Sequence, residues 1–213
     1  MDIYASDDEK GEEIKQWWRD NGRTVVIGSI FAFAAVASGR YWVSYQHTLA
    51  ENASMTYQQV SVALANDNEV EAAERTQQLF AESATTPYAV FAALEMASRA
   101  VEMSDTDAAA SYLQWVMDNA TLASHVEIAR LRLAQLLLND KNYDQALVLV
   151  NQSKSISFSS LFSELRGDIL AAQGQDQAAL TAYQIAIVKL AQGDSRQGLL
   201  QMKIDDMAVS NDG

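Results

Sequence analysis

Histidine suits proton transfer near neutral pH and is a common metal ligand. This chain has two, His47 and His125. Read along the sequence, His47 has no carboxylate or second histidine at ligand spacing. His125 has only Glu127, two residues on and therefore on another helix face. Both are expected to be surface or half-buried structural residues. Asp205 with Asp206, and Glu69, Glu71 and Glu74, are the acids that paired-carboxylate hydrolysis would need. They read instead as solvated helix faces. Gly174 and Gly193 lie in turn sequence, and no Gly-rich phosphate loop occurs. No serine or threonine stands in a nucleophile motif such as G-x-S-x-G. The absence of cysteine excludes disulfides, thiolate nucleophiles and cysteine zinc sites. No catalytic residue, metal site, cofactor or small-molecule substrate is expected, so function must lie in surfaces.

The most informative surface is an uncharged run, TVVIGSIFAFAAVASG, residues 24–39. A spanning helix needs about 20 apolar residues to cross roughly 30 Å of hydrocarbon. Arg40 can snorkel its guanidinium to the headgroups, which extends the compatible stretch to residues 24–43. Trp17, Trp18 and Arg23 on one side, and Arg40, Tyr41 and Trp42 on the other, are the expected membrane-interface anchors. Lys10, Lys15, Arg19 and Arg23 precede the run, and after Arg40 the next basic residue is Arg75. The positive-inside rule therefore expects a cytoplasmic N-terminus. The expected division is a cytoplasmic tail (1–23), a transmembrane helix (24–43) and a periplasmic domain (44–213). Gly28, Ala32, Ala35 and Gly39 share one helix face, a candidate packing surface for a second transmembrane helix. Two other readings compete: a cleaved signal peptide, for which Ala35-Val36-Ala37 supplies an A-x-A pattern, and a buried helix of a soluble protein. Seven acids before the run are wrong for the n-region of a signal peptide.

Residues 47–213 hold 10 basic and 21 acidic residues, a net charge of −11. Such a domain repels nucleic acid and anionic lipid surfaces. Its one proline and abundant Ala, Leu and Gln favour helix throughout. LAQLLLNDKNYDQALVLV (133–150) aligns with RGDILAAQGQDQAALTAY (166–183). Ala134 pairs with Gly167, Leu137 with Leu170, Ala146 with Ala179, and Val150 with Tyr183, each 33 residues apart. Each unit reads as helix, short polar turn and helix, with small residues where the helices touch. Asn142 with Gln145 reads as a capping box, Thr86 as a cap before Pro87 at the first helical position, and Gly174 as a left-handed helix terminus. Two more degenerate hairpins precede, at about 47–82 and 88–119, and a last helix is expected from Gln197 to about Val209. Residues 1 to about 10 and 210–213 are expected to be disordered. Leu131, Leu133, Leu136, Leu137, Leu138, Met96, Met103 and Met117 are expected to be mostly core.

These units resemble the tetratricopeptide repeat, a helix-turn-helix of about 34 residues. Arg130 and Arg166 stand where that pattern has apolar residues. The expected fold is all-α: one transmembrane helix, then a tetratricopeptide-like α-solenoid of about four hairpins plus a terminal helix. IKQWWRDNG (14–22), the apolar run, GRYWVSYQ (39–46) and MKIDDMAV (202–209) together resemble the YfgM family of ancillary SecYEG translocon subunits. The resemblance implies a single-pass bacterial inner-membrane protein with a periplasmic domain. It further implies association with SecYEG and with the PpiD-type chaperone, in passing newly translocated chains to periplasmic chaperones. Membrane lipid is the other expected partner, and nucleic acid is not one. A cell-envelope or division scaffold and an envelope enzyme are the alternative readings.

Overall fold

A computed structural model describes residues 5–210, and these form nine helices and no strand. The helices are α1 (Ala5–Ala65), α2 (Glu69–Glu82), α3 (Pro87–Glu102), α4 (Thr106–Asn119), α5 (Ala123–Asn139), α6 (Tyr143–Gln152), α7 (Ser159–Ala172), α8 (Asp176–Val188) and α9 (Gln197–Ser210). The all-α expectation and the positions of the turns hold, but the first hairpin has no start near 47, where α1 is continuous. The disorder expected up to residue 10 does not, because α1 begins at Ala5; residues 1–4 and 211–213 lie outside the described residues. Helix α1 also continues through residues 47–53 without a break.

The chain divides into two compact units, Met1–Glu51 and Asn52–Gly213. The described part of the first is α1 alone. The second unit begins with residues 52–65 of α1, whose Ala53, Val60 and Ala63 are buried with Leu79 of α2 and Ala92 and Met96 of α3. Each later helix packs mainly on its neighbours in sequence. Helix α5 faces two ways: Ala129, Leu133 and Leu136 pack on α3 and α4, and Ala134 packs with Val150 of α6 and Phe162 of α7. Among the described residues there is no single core. Four clusters follow one another along the stack, as expected where one repeat cannot bury its own faces. Alanine at the contacts lets the helix backbones approach closely.

One turn recurs four times. Asp67, Ser104, Lys141 and Gly174 adopt left-handed φ of 54°, 61°, 58° and 72°. The next residue in each case donates its N–H to the carbonyl five back: Asn68 to Ala63, Asp105 to Ala100, Asn142 to Leu137 and Gln175 to Leu170, at 2.8–2.9 Å. This closes the preceding helix in a Schellman motif. The four turns are 37, 37 and 33 residues apart, so the 33-residue spacing belongs to the last unit only. The difference of four residues is about one helical turn; α6 and α7, at 10 and 14 residues, are shorter than α4 and α5, at 14 and 17.

Two capping assignments are corrected. Asn142 makes no side-chain cap bond. Thr86 does not cap α3 either; its hydroxyl donates back to the Ser83 carbonyl at 2.7 Å, although Pro87 does open the helix. Among α2–α8 the side-chain caps are Asn68, which accepts from Glu71 N–H at 3.3 Å and donates to the Glu71 carboxylate at 3.0 Å, and Asp105, which accepts from Ala108 N–H at 3.0 Å.

Charge ties the first repeat together. Arg99 of α3 bonds Asp67 and, at 2.6 Å, Glu69, so it holds the α1–α2 turn against α3. The hydrogen bonds from Arg99, helped by a backbone N–H, hold the Glu69 carboxyl below its ordinary value of 4.5. A folded value below the unfolded one adds stability that is full above about pH 4.5 and is lost as pH falls through the folded value. Arg99→Gln should therefore lower the melting temperature at pH 7. It should also flatten the fall in melting temperature between pH 5 and about pH 3. Thermal melts of both proteins across that range check this.

Candidate functional site

Every residue from 24 to 43 is exposed. A buried helix of a soluble protein would be covered, so that reading is corrected. Trp17 and Trp18 are exposed, with rings 6.5 Å apart, and Arg23 is exposed at the start of the run. Arg40, Tyr41 and Trp42 are exposed at its far end, where the Trp42 ring lies 6.5 Å from that of Tyr45. Gly22 is the covered residue between these groups. The Trp18 indole lies over it, so close that an added Cβ would sit 3.3 Å from the ring. Glycine there lets the indole lie along the helix. Gly28, Ala32, Ala35 and Gly39 form an exposed stripe, and a Cβ at Gly28 or Gly39 would meet nothing.

The histidines fall in different places. His47 is exposed and its Nδ1 lies 3.4 Å from Glu51, one helical turn on, a carboxylate that reading the sequence missed. His125 is half-buried, edge-on to Phe91 at 5.7 Å. Among the described residues no three His, Asp or Glu side chains gather as metal ligands.

The titratable clusters are staples between helices. Glu95 of α3 accepts from Tyr57 and, at 3.0 Å, from Ser61 of α1. Glu164 and Asp168 of α7 accept from Lys203 of α9 at 3.0 and 2.7 Å, and Asp168 also accepts from the Tyr183 hydroxyl at 2.8 Å. Burial, and then the bond to Asp168, pushes the Tyr183 phenol far up, so it stays a neutral donor. Burial alone would lower Lys203, but its bonds to Asp168 and Glu164 outweigh that and raise it. Each carboxylate is matched to a donor. Asp205 and Asp206 are exposed.

One apolar groove stands out, of about 830 Å³, floored by Leu133 and Leu137 of α5 and walled by Trp115 of α4 and Val148 and Leu149 of α6. Asp118 and Asp144 stand on its rim. Phe80 of α2 stacks on Trp115 at 3.7 Å and fixes that wall. Sequence periodicity does not separate these residues from core, because Leu133 is core and groove floor at once. Val148 is exposed beside the half-buried Leu147 and Leu149, a difference that the sequence does not carry. Met103, expected in the core, is exposed at the end of α3, while Met96 is buried and Met117 half-buried.

The match to known proteins extends from the anchor through the stack. The Tetratricopeptide repeat-like domain family matches residues 15–209. The chain belongs to that family. The matched span takes in the apolar run as well as the repeats. Over 211 residues the chain is 28% identical to a protein of Escherichia coli K12 named Ancillary SecYEG translocon subunit, covering 98% of this chain and all of the relative. A protein of the same name from Haemophilus influenzae is 28% identical, over 97% of this chain and all of that one. One from Neisseria gonorrhoeae is 27% identical at the same coverage. The resemblance drawn from the flanks of the apolar run therefore holds along nearly the whole length.

Proposed function

We propose that this protein is a membrane-anchored interaction adaptor of the SecYEG translocon. The observation that carries the reading is the full-length match to relatives named ancillary translocon subunits, in a chain whose residues 24–43 are apolar and exposed. In this reading residues 1–23 are cytoplasmic, 24–43 span the inner membrane and 44–213 are periplasmic. Trp17, Trp18, Arg23, Arg40, Tyr41 and Trp42 sit at the lipid interfaces. The Gly28, Ala32, Ala35 and Gly39 face meets another transmembrane helix. Retention of the anchor is favoured by the seven acids that precede the run, which do not suit a signal peptide, and by the aromatic residues that follow it.

The stack then works by binding. Its α4–α6 groove has an apolar floor and an acidic rim, which suits an apolar segment flanked by basic residues. Emerging polypeptides and a periplasmic chaperone of the PpiD type are the partners of this reading, and the adaptor passes the first to the second. The function needs no catalytic residue. Purification of the full chain in mild detergent, with identification of co-purifying proteins, tests it. SecYEG subunits and a periplasmic chaperone should be recovered; a preparation with neither, at normal expression, would overturn the reading.

A further inference from the structure

A pocket elsewhere on this acidic domain is lined by cations and no acid. Lys154, Arg166 and Lys189 border a cavity of about 430 Å³ formed by the end of α6, the following loop, α7 and α8. The chain has ten basic residues after the apolar run and Arg40. Five of them, Arg75, Arg99, Arg130, Arg196 and Lys203, are held in ion pairs. Lys154, Arg166 and Lys189 belong to the other five and make no ion pair among the described residues. The Nε of Arg166 is buried and donates to no protein atom. The hydroxyls of Ser159 and Ser163 are spent on the Ile156 and Ser159 carbonyls, so the cations, with the Ser153 and Ser155 hydroxyls, are the side-chain donors that face a ligand. Apolar surface completes the pocket: Phe162 on α7, Ile185 on α8 and Ile156 on the loop, 89% exposed.

We propose that this pocket binds a peptide segment carrying a carboxylate beside an apolar side chain. It rests on the adaptor reading only in taking a polypeptide as the ligand. The cations receive the carboxylate and Ile156 with Ile185 receives the apolar neighbour. The surrounding charge selects the size of the anion. Charges are screened beyond about 8 Å at physiological ionic strength. A single carboxylate in the pocket therefore feels its three cations, whereas an extended polyanion meets the acids elsewhere on the domain. A guanidinium offers a fixed fork of donors that matches a carboxylate, and the bare apolar residues distinguish a peptide from a free inorganic anion.

Isothermal titration of the full chain in neutral maltoside micelles tests the assignment. The probe is an acetylated, amidated peptide with one aspartate next to one leucine in an otherwise uncharged polar sequence. Its controls are the same peptide with asparagine for aspartate, inorganic phosphate, and anionic lipid dissolved in the same micelles. The acidic peptide should bind saturably and weaken about tenfold in R166Q/K189Q, the size expected for losing two charge contacts. It should also weaken as salt rises from about 50 to 500 mM. K154Q/K189Q changes two exposed side chains and serves as the second variant should R166Q disturb folding, which circular dichroism reads. Equal binding of both peptides, or no loss in either variant, overturns the proposal. So does tighter binding of phosphate or of anionic lipid than of the acidic peptide. Recovery of translocon subunits from the same preparations separates the two ideas: with partners retained and peptide binding absent, this pocket fails and the adaptor reading stands.

Discussion

Phe31→Asp together with Ala34→Asp should release the protein from the membrane. Residues 24–43 contain eight Val, Ile or Phe residues. At roughly −0.3 to −0.6 kcal/mol each, these contribute about −2 to −5 kcal/mol to insertion. One aspartate near the centre of a spanning helix costs about 2.5–3.5 kcal/mol, so two cost about 5–7 kcal/mol and outweigh the whole apolar contribution. Both positions are exposed on α1, so the change leaves the repeat clusters untouched. Alkaline carbonate extraction should recover wild type in the pellet and the double variant mostly in the supernatant, with helicity retained. A variant that stays in the pellet as wild type does would show that something other than this run holds the protein to the membrane.

The second large effect is expected inside the stack. Gly167 of α7 lies under the Tyr183 ring of α8, and a Cβ added there would sit 2.3 Å from ring carbon Cε1. The ring cannot swing clear: it is 3% exposed, its hydroxyl is tied to Asp168 at 2.8 Å, and the Lys203 ammonium lies 5.5 Å from its centre. Overpacking of this kind costs about 1–3 kcal/mol. Alanine recovers up to about 1 kcal/mol of helix propensity over glycine, so Gly167→Ala should lose about 1 kcal/mol net. Gly167→Val adds more atoms and recovers less, and should lose about 3 kcal/mol. At about 2–4 °C per kcal/mol for a chain of this size, the valine variant should melt about 6–12 °C lower. Melting within about 1 °C of wild type would mean that the ring has another place to go.

Gly167 also shows how far the sequence could be read. Its alignment with Ala134 marks a small residue at a helix contact, and that is where the structure puts it. The repeat was legible there because α7 and α8 keep the 33-residue unit. Earlier repeats are longer by about one turn and use Asp67, Ser104 and Lys141 where the last uses Gly174. A left-handed position occupied by charged and polar residues leaves no glycine to announce it, so those turns were legible only as polar gaps. The caps were less legible. Asn142 and Asn68 stand at the same place in their turns, yet only Asn68 has a glutamate three residues on to accept from its amide. Long-range pairs such as Arg99 with Glu69 and Lys203 with Asp168 were not legible, because they join residues 30 or more apart through packing. The apolar run was the most legible element, since its signal is local composition. The groove was the least: the leucines of α5 serve two surfaces, and only the stack decides which atoms remain uncovered.

Photo-crosslinking in intact membranes tests the central claim most directly. A photoreactive residue is placed singly at Val148 in the groove, at Gln114 on the adjoining face of α4, and at the exposed Gln201 of α9 as a distant control. Adducts with SecYEG subunits, a periplasmic chaperone or chains in transit are expected from positions 148 and 114, and much weaker ones from 201. Adducts from all three positions in equal measure, or with none of these proteins, would contradict an adaptor that works through the α4–α6 groove beside the translocon.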